Sequence, residues 1–448
     1  MDNNDYYNGL NTKLFEAIPP DAANVLELGC ANGRLGGLFK SRHPDARWTG
    51  VDIADDALAA ASRVLDRVLR IDLNTHEIDA AMQAAPFDTV VIGDLLEHLA
   101  DPGKLLAGLH RITTPDARIV CCLPNMTHVS VIEKMLTGDI SYDDMGLLDR
   151  THLKFYSAAA GFKIFLDGGW LPHLAGQYRV EGRDPDVLAG LMHAASALGV
   201  PAATALNNLG MYQMVLSCGK RELAQPSAGA PRISVIVPVN REWEYAENIA
   251  KSPGLKEIDA DIVAVRGATS AADAYAKGRQ QCRHDWVLML HQDVYVPAGA
   301  GHELARVLDQ LERDGVTSAP IGFAGLGISA TNEIAEAGLV IDRTALFRHP
   351  VSDDAISLDE YALAFHRDCK ASIDPALGWH TWATDLCLQA FGDDTSANAR
   401  IVAVPLFHNS LNDYTLPASY HTSADTLLAK YPDLERIETL CGTLARSA

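Results

Sequence analysis

The run from Asn24 to Gly37, NVLELGCANGRLGG, sets out residues in the order that nucleoside chemistry uses. An apolar stretch leads into a glycine turn at Gly29 and Gly33, a helix-forming stretch follows, and the next apolar run closes on Val51-Asp52-Ile53. In a strand–helix–strand unit the glycines let backbone amides approach a ligand. A carboxylate ending the second strand can accept hydrogen bonds from both ribose hydroxyls. Dinucleotide turns read G-x-G-x-x-G, because a pyrophosphate must sit close to the helix N-terminus. Here three residues separate Gly29 from Gly33, with Gly36 and Gly37 behind them, so this is not a dinucleotide fingerprint. The plainer alternatives are that the glycines only shape a turn and that Asp52 caps a helix starting near Asp55-Asp56.

Positioning such residues takes an α/β scaffold, and the chain alternates short β-branched runs with alanine-rich helical stretches in two successive blocks. At 448 residues it is too long for one ordinary domain; roughly two to three are expected. The segment RELAQPSAGAP, rich in Ala, Pro and Gly, reads as a linker over 221–231, giving domains at 1–220 and 232–448. The first block ends in YQMVLSC at 212–218, the second opens with RISVIVPV at 232–239, and the helical segment 184–198 reads as an insertion or cap.

Composition narrows the partners. A formal net charge of −21 argues against nucleic acid, whose affinity comes from Lys and Arg neutralising phosphates, and favours small molecules or neutral glycans. With 48% hydrophobic and 21% charged residues, no apolar run of bilayer length and a polar MDNNDYYNGL start, the sequence predicts a cytoplasmic location with no membrane span or secretory signal. Eight cysteines without C-x-x-C or zinc-type spacing read as reduced, buried thiols. Oligomeric state leaves no trace in the sequence.

The first block resembles class I S-adenosylmethionine-dependent methyltransferases, whose first motif has an acidic residue followed by a G-x-G-x-G-like turn. Glu27, Gly29, Ala31 and Gly33 match it, with Ala31 replacing the middle glycine. The resemblance continues through Asp52-Ile53, Asp72-Leu73 in RIDLN, FDTVVIGD ending at Asp94, the EHL-x-DP run, the LPN run and GLLDRTHLKFY at 146–156. It implies a Rossmann-like fold and S-adenosyl-L-methionine as cofactor. The implied binding residues are Glu27, Gly29, Ala31, Gly33, Asp52, Ile53, Asp72 (against the adenine amino group), Leu73 and Asp94. Methyl transfer from a sulfonium is an in-line displacement, so alignment dominates, and a hydroxyl acceptor also needs a base. His98, His128 and His152 are the candidate imidazoles, with His98 favoured because it follows the cofactor strand; helix caps or satisfied buried carbonyls are the structural alternatives.

The second block resembles GT-A-fold, family-2-type glycosyltransferases. The residues carrying this are ISVIVPVN at 233–240, DWVLMLHQDVYVP at 285–297, LDEYALAFHRD at 358–368, GWHTWATDLCLQA and VPLFHNS. The resemblance implies a nucleotide-sugar donor and Mn or Mg held by Asp293 and His408. Asp385 would be the base of an inverting transfer, or else an N-cap whose place Thr384 could take. Asp359 and Glu360 would lie on the acceptor side, with Trp379, His380 and Trp382 as a sugar platform. His291-Gln292-Asp293 offers only one carboxylate, and Arg266 stands where many relatives have an acidic base-reading residue; Arg266, Lys277 and Arg279 would face the diphosphate or simply be solvated.

The sequence therefore predicts a bifunctional transferase, O-methylating and glycosylating a glycan or glycosylated metabolite. The alternatives are an active methyltransferase with a noncatalytic nucleotide- or sugar-binding second module, and, for the first block, a nicotinamide oxidoreductase.

Overall fold

A computed structural model describes residues 10–75, 78–180, 184–227, 229–390, 398–411 and 415–446. The chain forms two compact units that divide between Glu222 and Leu223, Leu411 grouping with the first. The expected linker thus begins inside the first unit. Arg221 is buried, its amide donating to the Gly169 carbonyl at 2.9 Å and its guanidinium to the Leu166 carbonyl at 3.2 Å.

In the first unit, strands β1 (Asn24–Leu28), β2 (Arg47–Asp52), β3 (Arg67–Arg70), β4 (Phe87–Ile92), β5 (Thr113–Pro124), β6 (Trp170–Arg179) and β7 (Met211–Lys220) form one seven-stranded sheet. Its order is β3-β2-β1-β4-β5-β7-β6, parallel from β3 to β5, with β7 antiparallel to both neighbours. Strand order reverses between β1 and β4, which places the ligand crevice of such a sheet at the carboxyl ends of these strands. Val25, Leu26, Leu28, Val90, Val91 and Ile92 are all fully buried, as expected for strands covered on both faces. The covering helices are α1 (Thr12–Ala17), α2 (Arg34–Arg42), α3 (Asp55–Ala61), α4 (Pro102–Leu109), α5 (Val129–Thr137) and α6 (Ala158–Asp167). Between β6 and β7 lie α7 (Pro185–Ala197), which has no buried residue, and α8 (Ala202–Gly210), where an insertion was expected.

The second unit has a six-stranded sheet ordered β18-β12-β17-β10-β8-β9. Its strands are β8 (Ile233–Val239), β9 (Asp261–Arg266), β10 (Trp286–Leu290), β12 (Ile321–Gly322), β17 (Ala362–His366) and β18 (Arg400–Ile401). A further sheet, ordered β11-β19-β14-β13-β16 with β15 on β14, comprises β11 (Val294–Tyr295), β13 (Ala324–Ile328), β14 (Ile334–Asp342), β15 (Ala345–Arg348), β16 (Ala355–Leu358) and β19 (Leu406–His408). Side chains of β10 divide between two cores, Trp286, Leu288 and Leu290 on one face and Val287 and Met289 on the other. Helices α9 (Glu242–Glu247), α10 (Pro253–Glu257), α11 (Ala271–Arg279), α12 (Ala300–Arg313), α13 (Trp382–Ala390) and α14 (Ala418–Lys430) complete the unit. Among the described residues no helix is long and apolar enough to cross a membrane.

A buried polar contact braces the glycine turn from below. Trp48, fully buried on β2, donates its indole N–H to Glu27 at 2.8 Å. A Cβ on Gly36 would stand 2.4 Å from that nitrogen, so only glycine lets α2 lie this close. Burial pushes the Glu27 carboxyl up to about 8, the charge of Asp52 adding to the rise and the Trp48 bond opposing it. The folded state then keeps a proton that the unfolded chain releases from about pH 4.3 upward, so stability falls as pH climbs toward 8. Glu27→Gln keeps an acceptor for Trp48 and removes this slope. Urea melts at pH 5 and pH 8 should show the variant gaining up to about 4 kcal/mol on the native protein across that interval. Parallel pH dependence in the two proteins would contradict the raised carboxyl.

Candidate functional site

The residues singled out in the first half converge on the carboxyl ends of β1, β2, β3 and β4. After β1, Gly29, Ala31 and Gly33 take φ of 74°, 47° and 73°, an alternating left-handed path. Ala31 holds a conformation that costs an L-residue about 1 kcal/mol or more, offset locally by its amide donating to Asp52 Oδ2 at 2.8 Å. The other carboxylate oxygen, Oδ1, accepts from the amides of Ile53 at 2.8 Å and Ala54 at 3.0 Å. Asp52 is therefore not a helix cap, since α3 starts after Ala54 without a side-chain cap. Its Oδ2 uses one of two lone-pair sites, leaving one for a ligand hydroxyl.

Ile53 is half exposed beside Asp52. Asp72 follows β3, its Oδ1 accepting from Asn74 at 2.9 Å, and Leu73 next to it is partly buried. Asp94 follows β4 at a φ of 42° and accepts from Gln213 of β7 at 2.7 Å; burial raises its carboxyl. Glu27, expected among the cofactor contacts, is instead buried beneath the turn and engaged by Trp48.

A second cluster adjoins these strand ends. Glu97 and His98 lie in the short 3-10 turn Leu96–His98 after β4. The Glu97 carbonyl accepts from the amides of Leu153 at 2.7 Å and Lys154 at 3.0 Å, which holds the segment carrying His152 against this turn. The two imidazoles meet edge to face, centroids 4.9 Å apart. The Thr151 hydroxyl donates to Asp149 at 2.6 Å, so its oxygen, 3.1 Å from His98 Nδ1, can only accept; the Thr151 carbonyl lies 3.2 Å from the same nitrogen. His98 thus carries its proton on Nδ1 and presents the Nε2 lone pair. His152 Nδ1 lies 3.2 Å from the Leu147 carbonyl, giving it the same tautomer, and burial lowers its pKa, with His98 adding to the fall. Glu97 is 1% exposed and its Oε2 has no hydrogen-bond partner. Burial, and next the Asp94 charge, push its carboxyl well above the usual range. One ligand atom from each of Glu97, His98 and His152 falls within 4.8 Å of the others. His128, by contrast, does cap α5, its ring accepting from the Ser130 amide.

In the second unit, Asp293 and His408 come together as expected, with His408 Nε2 3.5 Å from Asp293 Oδ1. His291 joins them within 4.8 Å. Asp342, at the end of β14, holds His408 Nδ1 at 3.1 Å. Between two carboxylates, His408 is pushed up to about 10 despite the opposing effect of its burial, and Asp293 falls to about 2 because the imidazole outweighs its own burial. His291 stands two residues before Asp293, in the turn closed by the Val294 amide donating to the His291 carbonyl at 3.2 Å, and that close spacing was visible in the sequence.

Asp385 requires a correction. It lies in the first turn of α13, is completely buried, and has both oxygens engaged: Tyr431 donates at 2.7 Å, Lys430 at 2.8 Å and Gln389 at 2.6 Å. A carboxylate so enclosed is a structural anchor, neither an acceptor-facing base nor an N-cap. Trp382 is 2% exposed and belongs to the core, not to a sugar platform, while Trp379 is partly exposed and His380 bonds Ser419. Arg266 pairs with Glu242 and Lys277 with Asp273, so these two cations are already neutralised.

Residues 26–119 match the sequence pattern of the family described as a methyltransferase domain. That stretch runs from β1 into β5 and carries the glycine turn, Asp52, Asp72 and Asp94. The first unit contains a class I S-adenosylmethionine-dependent methyltransferase domain of Rossmann-like α/β fold. A ubiquinone biosynthesis O-methyltransferase of Psychrobacter arcticus is 30% identical over 154 residues, 33% of this chain and 58% of that protein. A trans-aconitate 2-methyltransferase of an Azoarcus species is 33% identical over 112 residues, 25% of this chain and 43% of that protein. A methyltransferase structure from Archaeoglobus fulgidus covers 47% of this chain and 92% of its own, at 18% identity and a TM-score of 0.33. The chain spans about half the length of the curated relatives it matches.

The anchoring role of Asp385 has a measurable consequence. Asp385→Asn leaves Lys430, about one-third exposed, without its charge partner on one side, and should cost about 2–3 kcal/mol of stability. Thermal melts should show the loss with no ligand present; an unchanged midpoint would return Asp385 to the list of bases.

Proposed function

We propose that the first unit transfers a methyl group from S-adenosylmethionine to a hydroxyl of a glycan or glycosylated small molecule. The observation carrying this reading is the Asp52 carboxylate, tied to the left-handed turn at Ala31 with one acceptor site left over. When bound, the cofactor supplies an electrophilic methyl on a sulfonium. Gly29, Ala31 and Gly33 would let the chain approach it, Asp52 would accept from the ribose hydroxyls, Asp72 and Leu73 would border the adenine, and Asp94 would lie toward the reacting end. His98, with its Nε2 lone pair fixed by Thr151, would receive the proton of the acceptor hydroxyl. The O-methyltransferase names among the relatives support oxygen as the atom methylated.

For the second unit we propose a nucleotide-sugar glycosyltransferase of GT-A type acting in the same pathway. The buried Asp293 Oδ1, in the group it forms with His408 and His291, is chemically suited to a divalent cation, whose charge would neutralise the leaving diphosphate. With Asp385 enclosed, Asp359 is a carboxylate that would serve the acceptor, and its charge acts on His291.

Calorimetric titration with S-adenosylhomocysteine should show binding that Asp52→Ala weakens by about 10- to 100-fold at unchanged circular dichroism, as expected for a lost charge-assisted contact. A native protein that gives no heat with this ligand sinks the methyltransferase reading.

Nucleoside diphosphate sugars with Mn should raise the thermal midpoint of the native protein, because ligands that bind only the folded state stabilise it. His408→Ala should abolish that rise, and a variant that keeps it removes the support for a metal-assisted donor site.

A further inference from the structure

The geometry points to a second divalent-cation site, in the first unit, formed by Glu97, His98 and His152. It rests on the methyltransferase reading for its purpose but not for its existence. Three features of the cluster carry it. Glu97 Oε2 is buried with no hydrogen-bond partner, a costly state for a carboxylate oxygen that an ion would relieve. Both imidazoles have their Nδ1 protons committed, His98 to Thr151 and His152 to the Leu147 carbonyl, which leaves two Nε2 lone pairs. Metal-bound histidines show this arrangement, in which an outer partner holds the far nitrogen and fixes the ring. Finally, one donor atom from each residue lies within 4.8 Å of the others.

Atoms bound to one ion at about 2.1 Å stand about 3–4 Å apart, so the donors must draw in by roughly an ångström. The Glu97 Oε2 is held by no hydrogen bond, so it can move toward the two rings without breaking one. Two imidazole nitrogens and one carboxylate oxygen suit Zn, Co, Mn or Fe in the divalent state, and are a poor match for Ca or Mg, which take mainly oxygen ligands. Three protein ligands leave open positions for the acceptor. A hydroxyl bound there loses its proton to water, its oxygen lone pair attacks the methyl carbon, and the carbon–sulfur bonding pair stays on sulfur as a neutral thioether. His98 then acts as a ligand, and acidification by the cation replaces the imidazole as the means of ionising the acceptor.

The experiment uses the full chain carrying His408→Ala, to disable the second unit's donor set, after stripping with chelator. Co(II) titration followed by visible d–d absorption and equilibrium dialysis should find one tight site. Glu97→Gln and His152→Ala should each weaken it by about 100-fold or more, and Thr151→Val, which removes one of the two oxygens holding His98 Nδ1, by about 10-fold. S-adenosylhomocysteine binding, measured on the same proteins, reports folding and tests the methyltransferase reading separately. Absence of a Co(II) site in the His408→Ala chain, or a site whose affinity ignores both Glu97→Gln and His152→Ala, overturns the inference whether or not S-adenosylhomocysteine binds.

Discussion

The Asp52 carboxylate is the joint on which the first unit depends. It ties the turn after β1 to the end of β2 through three backbone amides, those of Ala31, Ile53 and Ala54. Left-handed backbone at a non-glycine residue persists only where neighbours over-determine it, and Ala31 meets that condition through its bond to Asp52. From below, Trp48 and Glu27 fix the same turn, and Gly36 keeps α2 low enough for them to meet. The turn is thus held by contacts within its own chain, which would reduce the ordering cost of binding the proposed cofactor.

Much of this was legible in the sequence because it depends on local spacing. Buried parallel strands appear as continuous apolar runs, and the turn residues fall at fixed offsets from them. Ala31 in place of glycine still takes a left-handed path, at a φ of 47°. The two units divide inside the expected linker, with its first two residues in the first unit; the burial of Arg221 against Gly169 and Leu166, which composition does not show, depends on a distant helix end and the start of β6.

What could not be read was pairing between remote segments. Asp385 resembles a base in its local context, yet Lys430 and Tyr431, which enclose it, lie at the end of α14, and no periodicity links the two stretches. The same holds for His152, brought to Glu97 and His98 by two backbone hydrogen bonds from Leu153 and Lys154. Sequence flagged His98, His128 and His152 with His98 ahead of the others; only geometry separates the helix cap His128 from the facing pair.

The two donor clusters use one device on unrelated sheets. An imidazole has its Nδ1 held, by Asp342 for His408 and by main-chain or hydroxyl oxygens for His98 and His152, which leaves Nε2 as the nitrogen able to serve a ligand, beside Asp293 in one cluster and in the group with Glu97 in the other. The chemistry proposed for the units explains why each would want it at a different end of the reaction. A sulfonium loses its charge on giving up a methyl group and leaves as a neutral thioether, so the difficulty lies in the acceptor, whose hydroxyl must become nucleophilic. A nucleoside diphosphate leaves as a polyanion, so the difficulty lies in the leaving group. Charge concentrated near His98 would serve the attacking oxygen, and charge concentrated near His408 the departing one.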